Sequence, residues 1–388
     1  MGDKLKMPTL RFKEFSGEWE EKGIGQVLKI GSGKDYKHLE NGDIPVYGTG
    51  GLMRFVNDYL YDGESVCIGR KGTIDKPLLL YGKFWTVDTL FYTHSFKDSI
   101  PKFLFSIFQK INWKLYNEAS GVPSLSKSTI EKIKINLPQK QEQEKIASFL
   151  SSIDKKIEQL SKKDELLQSY KKGAMQKIFS QEIRFKADDG SDYSDWKIEK
   201  LGKYIDLFSG FAFKGNDISD EAEGIPLLRG INITEGKIRH SKEIDRFYNG
   251  KLDKLEKYFV RENDLVISMD GSKVGKNVAL ITKEDNNTLL VQRVARIRAN
   301  EYSNINFIYQ IIWSKYFIRY VDMVNTSSGI PHISSQQIKD FNFQFPNKRE
   351  QIKIANFLSS IDTKISQNKK ALEETKKFKK ALLQQMFV

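Results

Sequence analysis

Two copies of one sequence pattern lie in this chain, and this repeat constrains its fold more than any other feature. The segment EQEKIASFLSSIDKKI begins at Glu142 and returns as EQIKIANFLSSIDTKI from Glu350, at an offset of 208 residues. At the same offset, SGVPSLSKSTIEKIKINLP from Ser120 matches SGIPHISSQQIKDFNFQFP from Ser328. A repeat of this length predicts two structural units that share one plan.

The beginnings of the two halves are also alike. LRFKEFSGEWEEKGIGQVLKIGSG from Leu10 resembles IRFKADDGSDYSDWKIEKLGKYIDLFSG from Ile183, with Trp19 and Trp196 in equivalent places. Between the matched ends the two sequences diverge, so each half predicts an entry arm, a body of about 130 to 150 residues and a long helix. The predicted boundaries are a first body at residues 1–138, a first helix with its connection at 139–182, a second body at 183–346 and a second helix at 347–388.

In both helical segments apolar residues recur at steps of three and four, which is the pattern of a coiled-coil seam. The seam positions are Ile146, Leu150, Ile153, Ile157, Leu160 and Leu167 in the first helix, and Ile354, Leu358, Ile361, Ile365, Leu372, Leu382 and Met386 in the second. Polar residues interrupt both seams at Asp164, Lys171, Asn368 and Lys379, and such residues fix register and partner. Pro138 and Pro346 precede the two helices, where a missing amide donor is tolerated.

A helix of about 40 residues is about 60 Å long and cannot bury an apolar stripe by itself. We therefore predict that the two helices pair as an antiparallel coiled coil that holds the bodies apart. The alternative is two surface helices, each packed on its own domain.

The bodies show short β-rich runs broken by glycine, such as SVCIGRKGTI and DLVISMDGSKVGKNVALI. They predict largely β domains with a helix or two. The best helix candidates are PKFLFSIFQKINWKLY, with Phe103, Ile107, Ile111 and Leu115 at steps of four, and NFIYQIIWSKYFIRYV from Asn306. The expected fold class is α+β, with two β-rich bodies joined by two long helices in a pseudo-twofold arrangement.

The net charge of +13 and sequence pI of about 9.3 favour a polyanionic partner, nucleic acid or an anionic membrane face. There is no apolar run long enough for a membrane helix and no secretory signal pattern, so we expect a cytoplasmic protein. The single cysteine, Cys67, suits a reducing compartment and is expected in a buried strand. Four histidines without metal-ligand spacing predict no metal site.

Basic and amide side chains at the turns of both bodies are the candidate DNA contacts, because Arg and Lys pair with guanine and Asn with adenine. In the first body they are Lys34, Tyr47, Thr49, Arg70, Lys71 and Lys76, and in the second Arg229, Asn232, Lys273, Lys276, Asn277 and Arg293. The repeated SGxP loops add Ser120, Ser124, Ser126 and Lys127, and Ser328, His332, Ser334 and Ser335. For each residue a solvated surface role, or a plain turn in the loops, is the alternative.

No catalytic residues are predicted. GSKVGKN from Gly271 has three residues between its glycines where a phosphate-binding loop has four, and Asn277 where Ser or Thr would bind magnesium. An Asn- or Asp-Pro-Pro-aromatic run, as amino-methyltransferases use, is missing from the sequence.

The whole chain resembles the specificity subunits of type I restriction-modification systems. The SG(V/I)P loops, the proline before each helix and the repeated EQxKIAxFLSSIDxKI carry the resemblance, which covers both halves almost end to end. It implies that residues 1–138 and 183–346 are target recognition domains that each read one half of an asymmetric DNA site.

The resemblance also implies the partners. They are double-stranded DNA, two methyltransferase subunits that bring S-adenosylmethionine, and restriction (motor-nuclease) subunits that bring ATP and magnesium. This chain itself is expected to hold no cofactor and to catalyse nothing. Its helices would be docking surfaces for the methyltransferase subunits as well as spacers.

Two other functions stay open from the sequence alone. One is a fused restriction enzyme or methyltransferase with unrecognised catalytic residues. The other is a non-specific coiled-coil adaptor whose positive charge is incidental. The DNA target sequence does not follow from the residues, because base choice depends on side-chain placement and DNA shape.

Overall fold

A computed structural model describes residues 7–325 and 331–388, and these fall into two compact units. The first unit joins residues 7–164 to Asn368–Val388, and the second is Glu165–Gln367. The division cuts both long helices, so each unit consists of one body and a segment of each helix.

In the first unit two four-stranded sheets form the body. The main sheet is antiparallel, with the strand order Lys29–Ser32, Leu90–His94, Ser65–Gly69, Leu78–Leu80. The second sheet has the order Gly51–Val56, Ile44–Gly48, Lys83–Thr86, Tyr61–Asp62, and its middle pair is parallel. Every residue of Ser65–Gly69, the strand that contains Cys67, is buried, as a run of apolar residues predicts for a central strand.

The second unit repeats this plan with a different sequence. Its main antiparallel sheet has the order Ile205–Ser209, Val294–Ala299, Leu265–Ser268, Val278–Leu280. Its other sheet has the order Ile218–Ser219, Phe247–Tyr248, Ile225–Leu228, Leu289–Leu290, again with one parallel pair. In both main sheets the first strand pairs with the last, so the main sheets of the two bodies share one topology, whereas the second sheets differ in strand order.

Smaller strand pairs complete each unit. Glu20–Gly23 pairs with Lys134–Leu137, and Lys197–Lys200 pairs with Asn342–Phe345. In the second unit, Ile233–Thr234 also pairs with Lys237–Ile238. The strands Lys134–Leu137 and Asn342–Phe345 end just before the long helices, so they fix where each helix leaves its body.

The short helices differ in part from the expectation. In the first unit they are Ile24–Val27, Pro101–Lys110, Lys127–Lys132 and the 3₁₀ turn Trp113–Tyr116. In the second unit they are Ile305–Ile312, Lys315–Val324, Ser335–Asp340 and the 3₁₀ turns Leu201–Lys203, Gly215–Asp217, Gly230–Asn232 and Glu256–Tyr258.

Two of the predicted helices were wrong in extent. The helix that begins at Pro101 ends at Lys110, and Leu115, expected on its apolar face, is 79% exposed. The single helix expected from Asn306 is two helices, because the side chain of Ser314 accepts a hydrogen bond from the Phe317 N–H at 3.3 Å and caps a new helix start.

The long helices are Lys140–Phe179, with 40 residues, and Lys348–Gln385, with 38. In the first unit Asn368 Nδ2 donates to the Leu160 carbonyl at 2.8 Å, while Lys379 Nζ lies 2.6 Å from Asp154 Oδ1. The contacts therefore move backwards along one helix as they move forwards along the other. This antiparallel pairing, with two β-rich bodies whose main sheets have the same topology, confirms the predicted fold class.

The ends of the long helices are part of the body cores. Ile146, Leu150 and Ile153 pack into the core of the first body, where Phe387 from the end of the second long helix meets Trp19 at a ring distance of 6.0 Å. The second core contains Ile354, Leu358 and Ile361 together with Ile178 and Phe179. Both helices therefore pair with each other, as predicted, and their ends also pack on the bodies, as the alternative has it.

The middle of the predicted seam is less deeply packed. Leu160 is 8% exposed, Ile157 and Ile365 lie at the edges of the two cores, and Leu372 is half-buried. Among the described residues, every helix is either too short or too polar to cross a membrane.

Candidate nucleic-acid interface

The first candidate groove lies where the central strand of the first body ends. Beyond Ser65–Gly69, the chain turns at Arg70 and Lys71, whose side chains are exposed. The SGVP loop is fixed against this turn by two backbone hydrogen bonds, Leu125 N–H to Arg70 O at 2.9 Å and Gly72 N–H to Pro123 O at 2.8 Å.

This arrangement encloses an open groove of about 830 Å³, named here the first groove. Its lining includes five of the predicted contacts, Arg70, Lys71, Ser124, Ser126 and Lys127. Four polar lining residues were missed by sequence reasoning, Ser32, Asp88, Thr89 and Glu118. The predicted loop and turn are therefore brought together, although they are far apart in the chain.

The second body has a groove of about 500 Å³ in the same place, named here the second groove. Gly271 N–H donates to Pro331 O at 3.0 Å and Ile333 N–H to Met269 O at 2.8 Å, so Pro331 and Ile333 are held as Pro123 and Leu125 are in the first body. The groove is lined by the predicted contacts Arg229, Lys273, Asn277 and Arg293, and by Ser268, Asp270, Ser272 and Gln292, which were missed.

Equivalent backbone hydrogen bonds match the two grooves residue by residue. Arg70 N–H donates to Thr89 O at 2.7 Å, and Met269 N–H donates to Arg293 O at 2.8 Å. Isolated β-bridges join Lys71 to Ser124 and Asp270 to His332. The matched pairs are Lys71 and Asp270, Ser124 and His332, Asp88 and Gln292, and Thr89 and Arg293. One backbone frame thus presents different side chains in the two bodies.

A glycine marks this frame in both sequences. Gly72 and Gly271 both have positive φ angles, +90° and +96°, in the region that glycine adopts without strain. Each follows a buried strand by three residues. The signal for the missed residue Asp270 was therefore available, since it stands before its glycine as Lys71 does.

Some of the charged side chains in the grooves already form hydrogen bonds or ion pairs within the protein. Glu118 accepts hydrogen bonds from the hydroxyls of Thr129 and Ser126, which lower the pKa of its carboxyl group. Lys273 Nζ lies 2.8 Å from Glu235 Oε1, and Arg229 Nη1 donates to the Ile244 carbonyl at 3.3 Å. Within the described part of the chain, the side chains of Arg70 and Arg293 form no ion pair or hydrogen bond, so both are available to a ligand.

Several predicted contacts have structural roles instead. Asn232 is 1% exposed, and its amide binds the Arg229 N–H, the Arg239 carbonyl and Asp245, so the prediction of a base contact was wrong. Ser126 and Ser334 cap helices by accepting from the N–H groups of Thr129 and Gln337. Those hydroxyls satisfy backbone donors that the first turn of a helix leaves unpaired.

The remaining candidates lie around or away from the grooves. Tyr47 packs on a buried cluster of the first body, Thr49 lies beside Gly72, and the Ser335 hydroxyl lies 2.6 Å from that of Ser209. His332 is exposed, and its backbone forms the isolated β-bridge with Asp270. Exposed side chains that are absent from the lining of either groove are Lys34, Lys76, Ser120 and Lys276. Ser328 lies outside the described residues.

Comparison with known proteins agrees with this architecture. The family model described as "Type I restriction modification DNA specificity domain" matches residues 16–168 and 193–377. The specificity subunit of the type I restriction enzyme MjaVIII from Methanocaldococcus jannaschii is 27% identical over 413 residues, covering 96% of this chain and 94% of that protein. That of the EcoAI enzyme from Escherichia coli is 30% identical over 58% of this chain and 37% of its own length.

A solved structure has the same fold. The S subunit of a type I restriction-modification system from M. genitalium superposes with a TM-score of 0.72, over 98% of this chain and 99% of that one, at 16% sequence identity. The family model covers most of both halves, including both grooves and most of both long helices. The chain therefore belongs to the type I restriction-modification DNA specificity family, as a non-catalytic specificity subunit.

Proposed function

We propose that this chain reads one asymmetric DNA site in two parts, with one groove on each part, and directs methyltransferase and restriction subunits to it. The observation that carries the proposal is the pair of grooves with one backbone frame and different side chains. A symmetric reader would place the same residues at the matched positions. Here the position of Lys71 in the first groove corresponds to that of Asp270 in the second, and the position of Thr89 to that of Arg293. The two halves of the site therefore have different base sequences.

The groove chemistry supports a division of labour between contacts. Arg70 in the first groove and Arg293 in the second are exposed cations, suited to phosphates or to the acceptor edge of guanine. Both stand on turns at the ends of buried strands, so the scaffold fixes their position. Phosphate contacts provide affinity and orientation, and the side chains that differ between the grooves provide the choice of bases.

The partners in this proposal are two methyltransferase subunits, which carry S-adenosylmethionine, and restriction subunits, which carry ATP and magnesium. Their docking surface on this chain is the exposed face of the two long helices. The seam residues Ile146, Leu150, Ile153, Ile354, Leu358 and Ile361 are at most 8% exposed and serve the body cores. Docking therefore uses the charged residues between them, such as Lys155, Lys156 and Lys364, which are exposed.

Sequencing of methylated bases in cells that carry this chain with its methyltransferase subunit tests the proposal. We expect one bipartite, asymmetric motif. Replacing the first-groove residues Arg70 and Lys71 by Gln alters only one half of the motif, and Arg293→Gln alters only the other. Lys76→Gln and Lys276→Gln, which change exposed lysines outside the groove linings, are matched controls.

Other results would contradict the proposal. Methylation without sequence preference would favour a non-specific adaptor. DNA cleavage or methyl transfer by the purified chain alone, at stoichiometric yield, would favour a fused enzyme. Changes in both halves of the motif after a substitution in one groove would contradict the assignment of one groove to each half.

A further inference from the structure

The Asp270 carboxylate is a negative charge in a groove that otherwise suits DNA. Asp270 is half-buried and its carboxylate lies close to Gly230. A Cβ atom added to Gly230 would lie 3.6 Å from Asp270 Oδ1. Its backbone is fixed by the bridge to His332, and its carbonyl oxygen accepts a hydrogen bond from the Ser268 hydroxyl at 3.2 Å. Within the described residues, the carboxylate has no hydrogen-bond or ion-pair partner.

The cations of the same groove do not neutralise this carboxylate. Lys273 is paired with Glu235 at 2.8 Å, and Arg229 donates to the Ile244 carbonyl. Arg293 is exposed and forms no ion pair with Asp270. A ligand in the second groove therefore meets a carboxylate acceptor that stands on a fixed stretch of backbone and has no partner among the described residues.

A DNA duplex offers few groups that can satisfy such an acceptor. Phosphates and most base-edge atoms are acceptors or carry negative charge, and they would leave the dehydrated carboxylate without a donor. The donors exposed in the major groove are the exocyclic amino groups, N4 of cytosine and N6 of adenine. At the matched position of the first groove, the Lys71 ammonium has the opposite requirement and favours acceptor atoms such as N7 and O6 of guanine.

We propose that Asp270 is a specificity-determining residue that selects a cytosine or adenine by its major-groove amino group, at one position of the half-site read by the second body. Lys71 selects an acceptor base edge, that of guanine, at the corresponding position of the other half-site. The inference rests on the proposed function, because it assumes that each groove holds half of a DNA site.

The methylation motifs of the unaltered protein and of two Asp270 variants test this inference, with the full chain and its methyltransferase subunit in cells. In the unaltered protein, one position of the second half-site is expected to be cytosine or adenine. Asp270→Ala relaxes that position by about tenfold to a hundredfold in selectivity, and leaves the other positions unchanged. Asp270→Asn, which has the same size, moves the preference towards adenine, since an amide can bind adenine N6 and N7 together.

Asp253→Ala is the matched control, because Asp253 is an exposed carboxylate of the second body outside the groove. A motif that stays intact at every position with both Asp270→Ala and Asp270→Asn overturns the inference and leaves the proposed function standing. A uniform loss of methylation with Asp270→Asn and an unchanged motif also overturns it, because the residue would then only position the groove. Absence of any motif with the unaltered chain overturns the proposed function itself.

Discussion

Lys379 on the second long helix places its Nζ 2.6 Å from Asp154 Oδ1 on the first, although Lys379 as a whole is only 8% exposed. The same ammonium group lies 2.8 Å from the amide oxygen of Gln109 in the first body. A charge so far removed from water is stable only while its partners are present. Through Asp154 and Gln109, Lys379 therefore joins the two long helices to each other and to the first body, at a polar position within an apolar seam.

The two partners of this pair should not be equally sensitive to substitution. Asp154→Asn leaves the buried ammonium without a counter-charge, and we expect a loss of about 1–3 kcal/mol in the free energy of unfolding. Lys379→Met removes the buried charge and leaves a carboxylate that is 42% exposed, so the loss should be under about 1 kcal/mol. Urea denaturation measures both. Lys376→Met, in an exposed pair with Glu373, is the control and should change stability by less than about 0.5 kcal/mol.

Glu350 and Glu142 occupy equivalent positions but have different numbers of partners. Glu350 is 0% exposed and accepts from Arg184 at 2.9 Å and from the Trp196 indole N–H at 3.0 Å. Glu142 accepts from Arg11 at 2.7 Å, while the indole N–H of Trp19 has no hydrogen-bond partner in the described structure. Glu350→Ala should therefore destabilise its unit by about 3–5 kcal/mol, roughly 1 kcal/mol more than Glu142→Ala does in the first unit.

Hydrogen exchange followed separately in the two units measures this difference. Equal losses for the two substitutions would contradict it. Trp196→Phe provides the control, because it removes the indole N–H and should bring the two glutamates to the same sensitivity.

The sequence could predict the elements whose signal lies in nearby residues. Hydrophobic periodicity predicts the seam positions and the buried strand around Cys67. Neighbouring glycine residues predict the turn at Arg70 and Lys71. The sequence could not predict which residues line the grooves together. Asp270 and His332, for example, are joined by a β-bridge between segments that are distant in the chain. The burial of Asn232 depends in the same way on its hydrogen bonds to Asp245 and Arg239. These two residues lie in a segment that shows no hydrophobic periodicity.

The long helices show the same limit. Their pairing follows from the heptad pattern, but the insertion of Phe179 and Phe387 into the two cores does not. Phe179 lies 5.3 Å from Phe343 in ring distance, and Phe387 lies 5.3 Å from Phe103. An apolar residue at a helix end has no local signal that tells which body it packs against.

The stability of the two units should respond to pH in opposite directions between about pH 5 and 8. In the second unit, burial lowers the pKa of His240, but hydrogen bonds and charges from Asp285 and Asp245 outweigh it and raise the pKa above 6.5. In the first unit, burial and the charges of Lys29 and Lys127 lower the pKa of His94. The folded second unit thus favours protonated histidine, and the folded first unit favours neutral histidine.

The sign follows from these shifts. The contribution of His240 is complete below pH 6.5 and is lost as the pH rises through its raised pKa in the folded state. That of His94 is complete above pH 6.5 and is lost as the pH falls through its lowered pKa. Local unfolding of each unit, followed by hydrogen exchange from pH 5 to 8, measures both. His240→Gln and His94→Gln should each flatten the profile of their own unit only, and a shared profile would contradict the assignment.

Cys67 provides a chemical probe of the first unit. Its side chain is 0% exposed, and burial raises the pKa of its thiol to about 12, although the Ser65 hydroxyl partly opposes this shift. Because the thiolate is the reactive species, a thiol reagent at pH 8 should label Cys67 only when the first body opens. Glu142→Ala, which weakens the first unit, should accelerate labelling by about tenfold or more, since each 1.4 kcal/mol of destabilisation changes the open population tenfold. Glu350→Ala acts on the second unit and should leave the labelling rate unchanged, and equal acceleration by both substitutions would show that the two units open together.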